Sequence, residues 1–274
     1  MIKALFLDLD GTLLNAKKEI SPITRKTLEK CKENKIKLFI NTGRPPLLDK
    51  TLSWDDNTLA LFDGGSYYNG GCVILDGQKI YAPISNDIVR QTINHVCRHD
   101  NLNIALQFED EKHAFRFPLS ENGLKRWGVS ADEVLTIEQI ENLQAVMMLI
   151  FYSSRVDAMR TIDKGLVDII EDLCHNAANF YVLEQGKCVQ IMGYAVNKLS
   201  GVEKIRSFFG YEKNEIVVFG DDVNDVEMLS EYEHSVAMAN AENYVKAKAH
   251  YITLDNNNDG IHHAICNIFH LVEA

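Results

Sequence analysis

Lys3-Ala4-Leu5-Phe6-Leu7-Asp8-Leu9-Asp10-Gly11-Thr12-Leu13-Leu14 is the stretch on which the reading of this chain turns. Ala4 to Leu7 are apolar and read as a short buried strand. Asp8 and Asp10 follow at its end, two positions apart, so on an extended backbone their side chains point to the same side. Carboxylates at the edge of an apolar core are costly unless a cation or hydrogen bonds compensate them. A hard ion such as Mg²⁺ supplies that compensation, because it prefers carboxylate oxygen. Taken alone, the stretch also reads as a strand that merely ends in an acidic turn.

Working outward, Asn15 to Ile20 is a polar, lysine-containing loop, and Ser21-Pro22 is a helix start with serine as cap and proline in the first turn. Ile23, Thr27, Leu28 and Cys31 recur at helical spacing. Ile36 to Ile40 is a second apolar strand, ending at Asn41-Thr42-Gly43-Arg44 before Pro45-Pro46. A helix between two buried strands is a βαβ unit, which implies a parallel sheet with a right-handed crossover. Leu59 to Phe62 reads as a third strand followed by Asp63-Gly64-Gly65, and the stretch from Tyr67 to Tyr81 as a hairpin around Asp76-Gly77.

Beyond Pro83 the texture changes. A helical stretch over 85–99 precedes alternating strands at Ile104 to Phe108 and His113 to Phe117. Further strands are expected at Val146 to Tyr152, Asn179 to Leu183 and Cys188 to Met192. Val156, Met159, Ile162, Leu166, Ile169, Ile170 and Leu173 form one helical face. This is an α+β unit inside an α/β chain. From Asn197 the earlier pattern returns: a helix over Lys198 to Phe209, a buried strand over Glu215 to Phe219, then Gly220-Asp221-Asp222-Val223-Asn224-Asp225 and another helix. The expected organisation is an α/β, Rossmann-like core with a parallel sheet in 1–83 and 189–274, interrupted by an α+β cap domain in 84–188.

The net charge of −11 and the lack of a lysine- or arginine-rich run argue against nucleic-acid and anionic-membrane partners. Six cysteines are scattered without CxxC pairs and read as reduced thiols. The acidic residues following Lys3 do not suit a signal peptide, and no apolar run is long enough to span a bilayer. A soluble cytoplasmic protein is the expectation; its oligomeric state is left open.

Polar groups gather at the ends of strands: Asp8 and Asp10, Thr42 and Gly43, then Asp221, Asp222, Asn224 and Asp225. Open parallel sheets bind ligands at the carboxyl ends of their strands, so these groups converge if the strands are neighbours. Lys198 opens the helix before the Asp221 strand and adds a cation. Carboxylates for Mg²⁺, a lysine, a hydroxyl and a glycine amide suit phosphoryl transfer, in which charge spreads over the phosphoryl oxygens and an aspartate attacks phosphorus. A calcium loop is a poorer reading of Gly220 to Asp225, which lacks the alternating spacing and closing glutamate. His95 and His99 have helical spacing for zinc but no third ligand in view. Phe115, Phe117, Trp127 and Tyr152 either line a substrate pocket or fill the core of the inserted unit.

The pattern resembles the haloacid-dehalogenase (HAD) superfamily of phosphatases, in its Cof-type branch with a large cap. Asp8 to Leu13 is similar to that family's DxDGT motif, Asn41 to Arg44 to its second motif, the segment around Lys198 to its third, and Gly220 to Asp225 to its fourth. The stretches Ser235 to Ala241 and Asn256 to Ile261 also resemble Cof-type tails. The resemblance implies that Asp8 is the nucleophile and a Mg²⁺ ligand. It implies that Asp10 is the general acid, then the base for water, and that its backbone carbonyl also binds the ion. Thr42, the Gly43 amide, Lys198 and Asn224 are implied to hold the phosphate and Asp221 the ion. Asp225 is implied to orient Lys198 or metal-bound water, with Asp222 in support. Asp10 is expected to carry a proton. Cof-type chains usually have Asn-Gly-Ala after the third strand, where this chain is read to have Asp63-Gly64-Gly65. The implied activity is Mg²⁺-dependent hydrolysis of small phosphorylated metabolites, such as sugar phosphates, flavin mononucleotide or pyridoxal phosphate. A phosphomutase and a non-catalytic phosphoaspartate signalling module are the alternatives.

Overall fold

Ala4–Leu7 forms the expected strand and lies inside a parallel sheet, where all four of its residues are buried. The computed structural model describes residues 1–140, 144–152 and 160–273, which divide into two compact units. The first comprises Met1–Arg44, Leu52–Ile80 and Lys198–Ala274; the second comprises Pro45–Thr51 and Tyr81–Asn197.

The sheet of the first unit runs Tyr251–Ile252, Ser235–Ala237, Ile216–Gly220, Ala4–Leu7, Lys37–Asn41, Gly64–Tyr67, Cys72–Leu75, Gln78–Tyr81. Pairing is parallel from the first of these through Gly64–Tyr67 and turns antiparallel at Cys72–Leu75. The strand bearing Asp8 therefore lies between the strands that lead to Thr42 and to Asp221. On one face Phe6, Phe39, Val218, Val202, Ile205 and Met228 pack into one core. Each large apolar side chain buried in such a core contributes about 1.5–3 kcal/mol. The helix Pro22–Glu33 starts as its sequence dictates, with the Ser21 hydroxyl accepting the Thr24 N–H at 3.2 Å. Asn256 donates to the Leu14 carbonyl at 2.7 Å, and Asn257 accepts from the Ala16 N–H at 2.8 Å. The Asn256–Gly260 loop thus fastens the segment that follows the first strand.

The third strand is not where the apolar run put it. Asp55 caps the turn by accepting from the Thr58 N–H at 2.8 Å, and Asp56–Leu59 is helical. The strand is Gly64–Tyr67, held by Ile40 and Asn41 on one side and by Cys72 to Leu75 on the other. Asp63 therefore precedes the strand, at the amino end of the sheet, where it accepts from the Leu38 N–H at 3.0 Å and pairs with Lys37 at 3.1 Å. The residues that do follow the strand are Tyr68-Asn69-Gly70-Gly71. Asp63-Gly64-Gly65 accordingly does not replace Asn-Gly-Ala after it; Asn69-Gly70-Gly71 stands there.

The second unit carries a mixed sheet in the order Ala178–Leu183, Cys188–Gly193, Ala145–Tyr152, Leu102–Phe108, His113–Phe115, Val134–Thr136. One face is covered by helices Asn86–Val96 and Lys164–Cys174, which bury Val89, Val96, Leu166 and Ile170 against Ile104, Met148 and Ile191. Val156 and Met159 lie outside the described residues. Cys188–Gly193 pairs antiparallel on both sides within this sheet, so the chain from 189 to 197, read from sequence as core, folds with the second unit instead. Among the described residues, no helix is long and apolar enough to cross a membrane.

His113 is fully buried in this sheet, with Nδ1 2.7 Å from the Glu111 carbonyl and Nε2 3.0 Å from the Gln107 amide nitrogen. Burial pushes the imidazole down to about 4, against the pull of the Glu111 carbonyl. The unfolded chain takes up this proton near 6.5 and the folded chain only near 4, so falling pH favours unfolding between those values. From pH 7 to pH 5 the second unit is expected to lose about 2 kcal/mol through this residue. NMR titration of the ring checks the cause: a midpoint above 6 contradicts it.

Candidate active site

The turn after Ala4–Leu7 is closed by backbone contacts, with the Leu13 N–H donating to the Asp8 carbonyl at 3.2 Å and the Leu14 N–H to that of Leu9 at 2.9 Å. This holds Asp8 at the end of its strand, where it is 4% exposed. Lys198, at the start of the helix Lys198–Phe209, is also buried. Its Nζ donates to Asp8 Oδ1 at 2.7 Å and to Asp225 Oδ1 at 2.8 Å. The other oxygen of Asp225 accepts the backbone N–H groups of Asp221 and Asp222, each at 3.1 Å. Asp225 therefore fixes both the lysine and the loop that carries Asp221. Thr12 donates to Asp221 Oδ1 at 2.8 Å, and Asn240 bridges Asp221 Oδ2 and the Gly11 carbonyl at 3.1 and 2.9 Å.

Carboxylate oxygens of Asp8, Asp221 and Asp225 all lie within 4.8 Å of one another. One lysine faces these three acids. Burial pushes Asp8 well above the ordinary carboxylate range despite Lys198, with Asp225 and Asp221 adding to the rise. Burial and the Asp225 charge push Asp221 up to about 7. Burial opposes the charge on Lys198, yet Asp225 and Asp8 outweigh it and hold the ammonium above its usual range. A dry pocket with surplus negative charge and oxygen donors fits a hard divalent cation. Asp8 and Asp221 are the ligand candidates, since Asp225 is fully buried with one oxygen on the Lys198 ammonium and the other on two backbone N–H groups.

Gly11 makes this cluster possible. It has φ +82°, and a β-carbon there would lie 2.2 Å from Asp221 Oδ2. Gly11→Ala is expected to displace the Asp221 carboxylate and cost about 2 kcal/mol or more, from left-handed strain plus overlap. Urea unfolding checks it, and a stability within 0.5 kcal/mol of wild type, the usual ~0.5 kcal/mol range of a neutral surface change, contradicts it.

The remaining sequence-named residues divide. Thr42 is buried and accepts from the Arg44 N–H at 3.2 Å through its hydroxyl. Asn224 is buried and donates to Asn69 Oδ1 at 3.0 Å, and that same oxygen lies beside Gly43. Asp222 is exposed and only caps its own turn through the Val223 N–H at 2.7 Å. Asp10 does not join the acid cluster. Arg44 grips it with Nε to Oδ2 at 2.5 Å and Nη2 to Oδ1 at 2.8 Å, and Lys18 Nζ donates to Oδ1 at 2.6 Å. Burial works to raise its carboxyl, but Arg44 and Lys18 win and hold it at about 2. The proton expected on Asp10 is thus absent in this arrangement. Thr12, Lys18, Arg44, Asn69 and Asn240 received no role from sequence. Thr12, Arg44 and Asn240 stand inside the quoted stretches, and Asn69 opens the Asn-Gly-Gly that the misplaced third strand hid, whereas nothing in the local sequence marks Lys18.

Among the described residues Asp8, Asp221 and Asp225 are the sole acid, histidine or cysteine group with metal-site spacing, so His95 and His99 gain no third ligand. In the second unit a cleft of about 690 Å³ is lined by Trp127, Phe151, Tyr152, Arg126, Lys187 and Glu184. Trp127 and Tyr152 are thus pocket residues. Phe115 is buried, 5.2 Å from Trp127 between ring centroids, and Phe117 lies beneath Arg116 at 4.4 Å.

A family model described as haloacid dehalogenase-like hydrolase matches residues 5–265. The 5-amino-6-(5-phospho-D-ribitylamino)uracil phosphatase YitU of Bacillus subtilis is 26% identical over 262 residues, covering 93% of each chain. A protein of Haemophilus influenzae named as a putative phosphatase is 26% identical over 273 residues, 95% of this chain and 96% of its own. The subclass IIB sugar phosphatase BT4131 shares the fold with a TM-score of 0.80 at 24% identity, over 98% of this chain and all of its own. A haloacid dehalogenase-like hydrolase of Bacteroides thetaiotaomicron superposes with a TM-score of 0.77 at 26% identity, over 98% and 100%.

Proposed function

Because this chain belongs to the haloacid dehalogenase-like hydrolase family, we propose that it is a Mg²⁺-dependent phosphatase of small phosphorylated metabolites. The observation that carries the reading is Asp8, a buried carboxylate at the end of the sheet's inner strand with Lys198 2.7 Å away and two further acids beside it. Asp8 and Asp221, with the Asp10 backbone carbonyl, would hold the ion. When bound, the ion supplies positive charge against the acid cluster and the phosphoryl oxygens.

Asp8 attacks phosphorus, and the ester P–O bond breaks. Thr42, the Gly43 amide, Lys198 and Asn224 hold the phosphoryl oxygens, so charge that spreads over them meets donors already in position. Asp10 gives a proton to the leaving alkoxide and then takes one from the water that attacks the aspartyl-phosphate. The products are free alcohol and inorganic phosphate. For this Arg44 and Lys18 must loosen their hold on Asp10, since two cations keep it ionised. Asp225 orients Lys198, and Asp222 supports the turn. Recognition of the alcohol is assigned to the second unit as its cap domain, supported by its aromatic and cationic cleft.

The substrates of the relatives, a phosphoribitylamino-uracil and a sugar phosphate, support a phosphorylated sugar or a sugar-like chain on a ring. The test is a panel of sugar phosphates, flavin mononucleotide and pyridoxal phosphate assayed with Mg²⁺. Excess chelator is expected to abolish turnover and added Mg²⁺ to restore it. Full activity in chelator overturns the metal role.

A further inference from the structure

We propose that Asn69 is a positioning residue that locks two phosphate-holding groups, Asn224 and the Thr42-Gly43 turn, into one rigid cradle. The inference rests on the phosphatase reading above. Asn69 follows the Gly64–Tyr67 strand, is fully buried, and has left-handed backbone angles of φ 52° and ψ 43°. Its N–H donates to the Thr42 carbonyl at 3.0 Å, which fixes the turn from below. Its side-chain Oδ1 accepts from Asn224 Nδ2 at 3.0 Å. The same oxygen lies 3.0 Å from where a β-carbon on Gly43 would stand, so the carboxamide fills the space that glycine leaves.

These contacts span the sheet. Thr42 and Gly43 end the strand on one side of Ala4–Leu7, and Asn224 follows the strand on the other side. Asn224 is 8% exposed, and its Oδ1 is buried without a partner among the described residues. A buried carboxamide with one anchored N–H has its plane decided by that anchor. Asn69 supplies it, and so sets where the second Asn224 N–H points. Without it Asn224 loses the one side-chain hydrogen bond it makes among the described residues and is free to turn its oxygen toward an anionic phosphoryl group.

Asn69→Gly tests this, because glycine keeps the left-handed backbone and removes only the carboxamide. Metal-dependent kcat/KM for a phosphate ester is expected to fall roughly 10- to 100-fold, the range set by stranding a buried partner. In an Asn224→Ala background the same change is expected to cost less than about 3-fold, because its target is gone. Equal losses in both backgrounds, or no loss in the wild-type background, overturn the inference. Should the glycine variant not fold, Asn69→Ser removes the same oxygen and is read in the same cycle against the same outcomes. The inhibition constant of inorganic phosphate is expected to rise in the single variant and not further in the double. A wild type that neither hydrolyses phosphate esters nor binds inorganic phosphate overturns the phosphatase reading and this inference together. An active wild type with additive losses overturns the inference alone.

Discussion

Asp8→Asn is expected to abolish hydrolysis of an aryl phosphate, by on the order of 10⁴-fold or more, while the protein stays folded. The amide cannot attack phosphorus, and no neighbouring acid is placed to substitute: Asp225 has both oxygens committed and Asp221 is held by Thr12 and Asn240. The stability side of this prediction has an unusual sign. Removing one partner of a buried ion pair is ordinarily destabilising. Here Lys198 keeps Asp225 at 2.8 Å, and the replaced carboxylate was one of three crowded acids in a dry pocket. Burial disfavours its charge more than Lys198 favours it. The variant is therefore expected to unfold at the same temperature as wild type or higher. Thermal unfolding and a rate assay on the same sample decide it; residual turnover within 100-fold of wild type, far above an order-of-magnitude estimate of ~10⁴-fold loss, removes Asp8 as nucleophile.

Lys198→Met has the opposite signature. Methionine keeps the unbranched apolar stem but leaves Asp8 and Asp225 buried without their cation. Stranding buried charge costs about 3–5 kcal/mol, a large part of the stability of a typical domain. Activity is also expected to fall roughly 10²- to 10³-fold, because a fixed cation is lost where phosphoryl charge develops. Mg²⁺ should return part of the stability, since it replaces some of the missing positive charge. Urea unfolding with and without Mg²⁺ checks both statements. A loss below about 1 kcal/mol, the ordinary value of an exposed pair, contradicts the buried network.

The two variants separate what was legible in the sequence from what was not. The gathering of Asp8, Asp221 and Asp225 was legible because apolar runs end abruptly in charge, and a buried strand leaves charge few places to go, whereas Lys198 stood apart from a surface lysine only through its motif context. The parallel order of the strands followed from helices between them. The third strand was misplaced because Leu59 to Phe62 has the composition of a strand, whereas Gly64-Gly65-Ser66-Tyr67 has almost no side-chain preference of its own. Pairing with Ile40 and Asn41, a tertiary effect, selects it. The boundary near residue 188 failed for a similar reason: Cys188 to Met192 reads as a strand, but only its partners decide which sheet takes it. The state of Asp10 was out of reach because Arg44 lies 34 residues away, and Lys18 sits in a polar loop whose path depends on Asn256 and Asn257. Sequence names an acid; its charge state depends on which cations the fold brings to it.

The carboxylate of Asp8 is expected to become covalently phosphorylated in each turnover. Acid quenching of the Mg²⁺-loaded wild-type protein within its first turnover of a phosphate ester, followed by peptide mass spectrometry, tests it most directly. The expected result is one added phosphoryl group on the peptide that contains Asp8, formed together with the first alcohol released and absent from Asp8→Asn. A phosphoryl group on a different residue, or first-turnover alcohol release by Asp8→Asn at the wild-type rate, contradicts it.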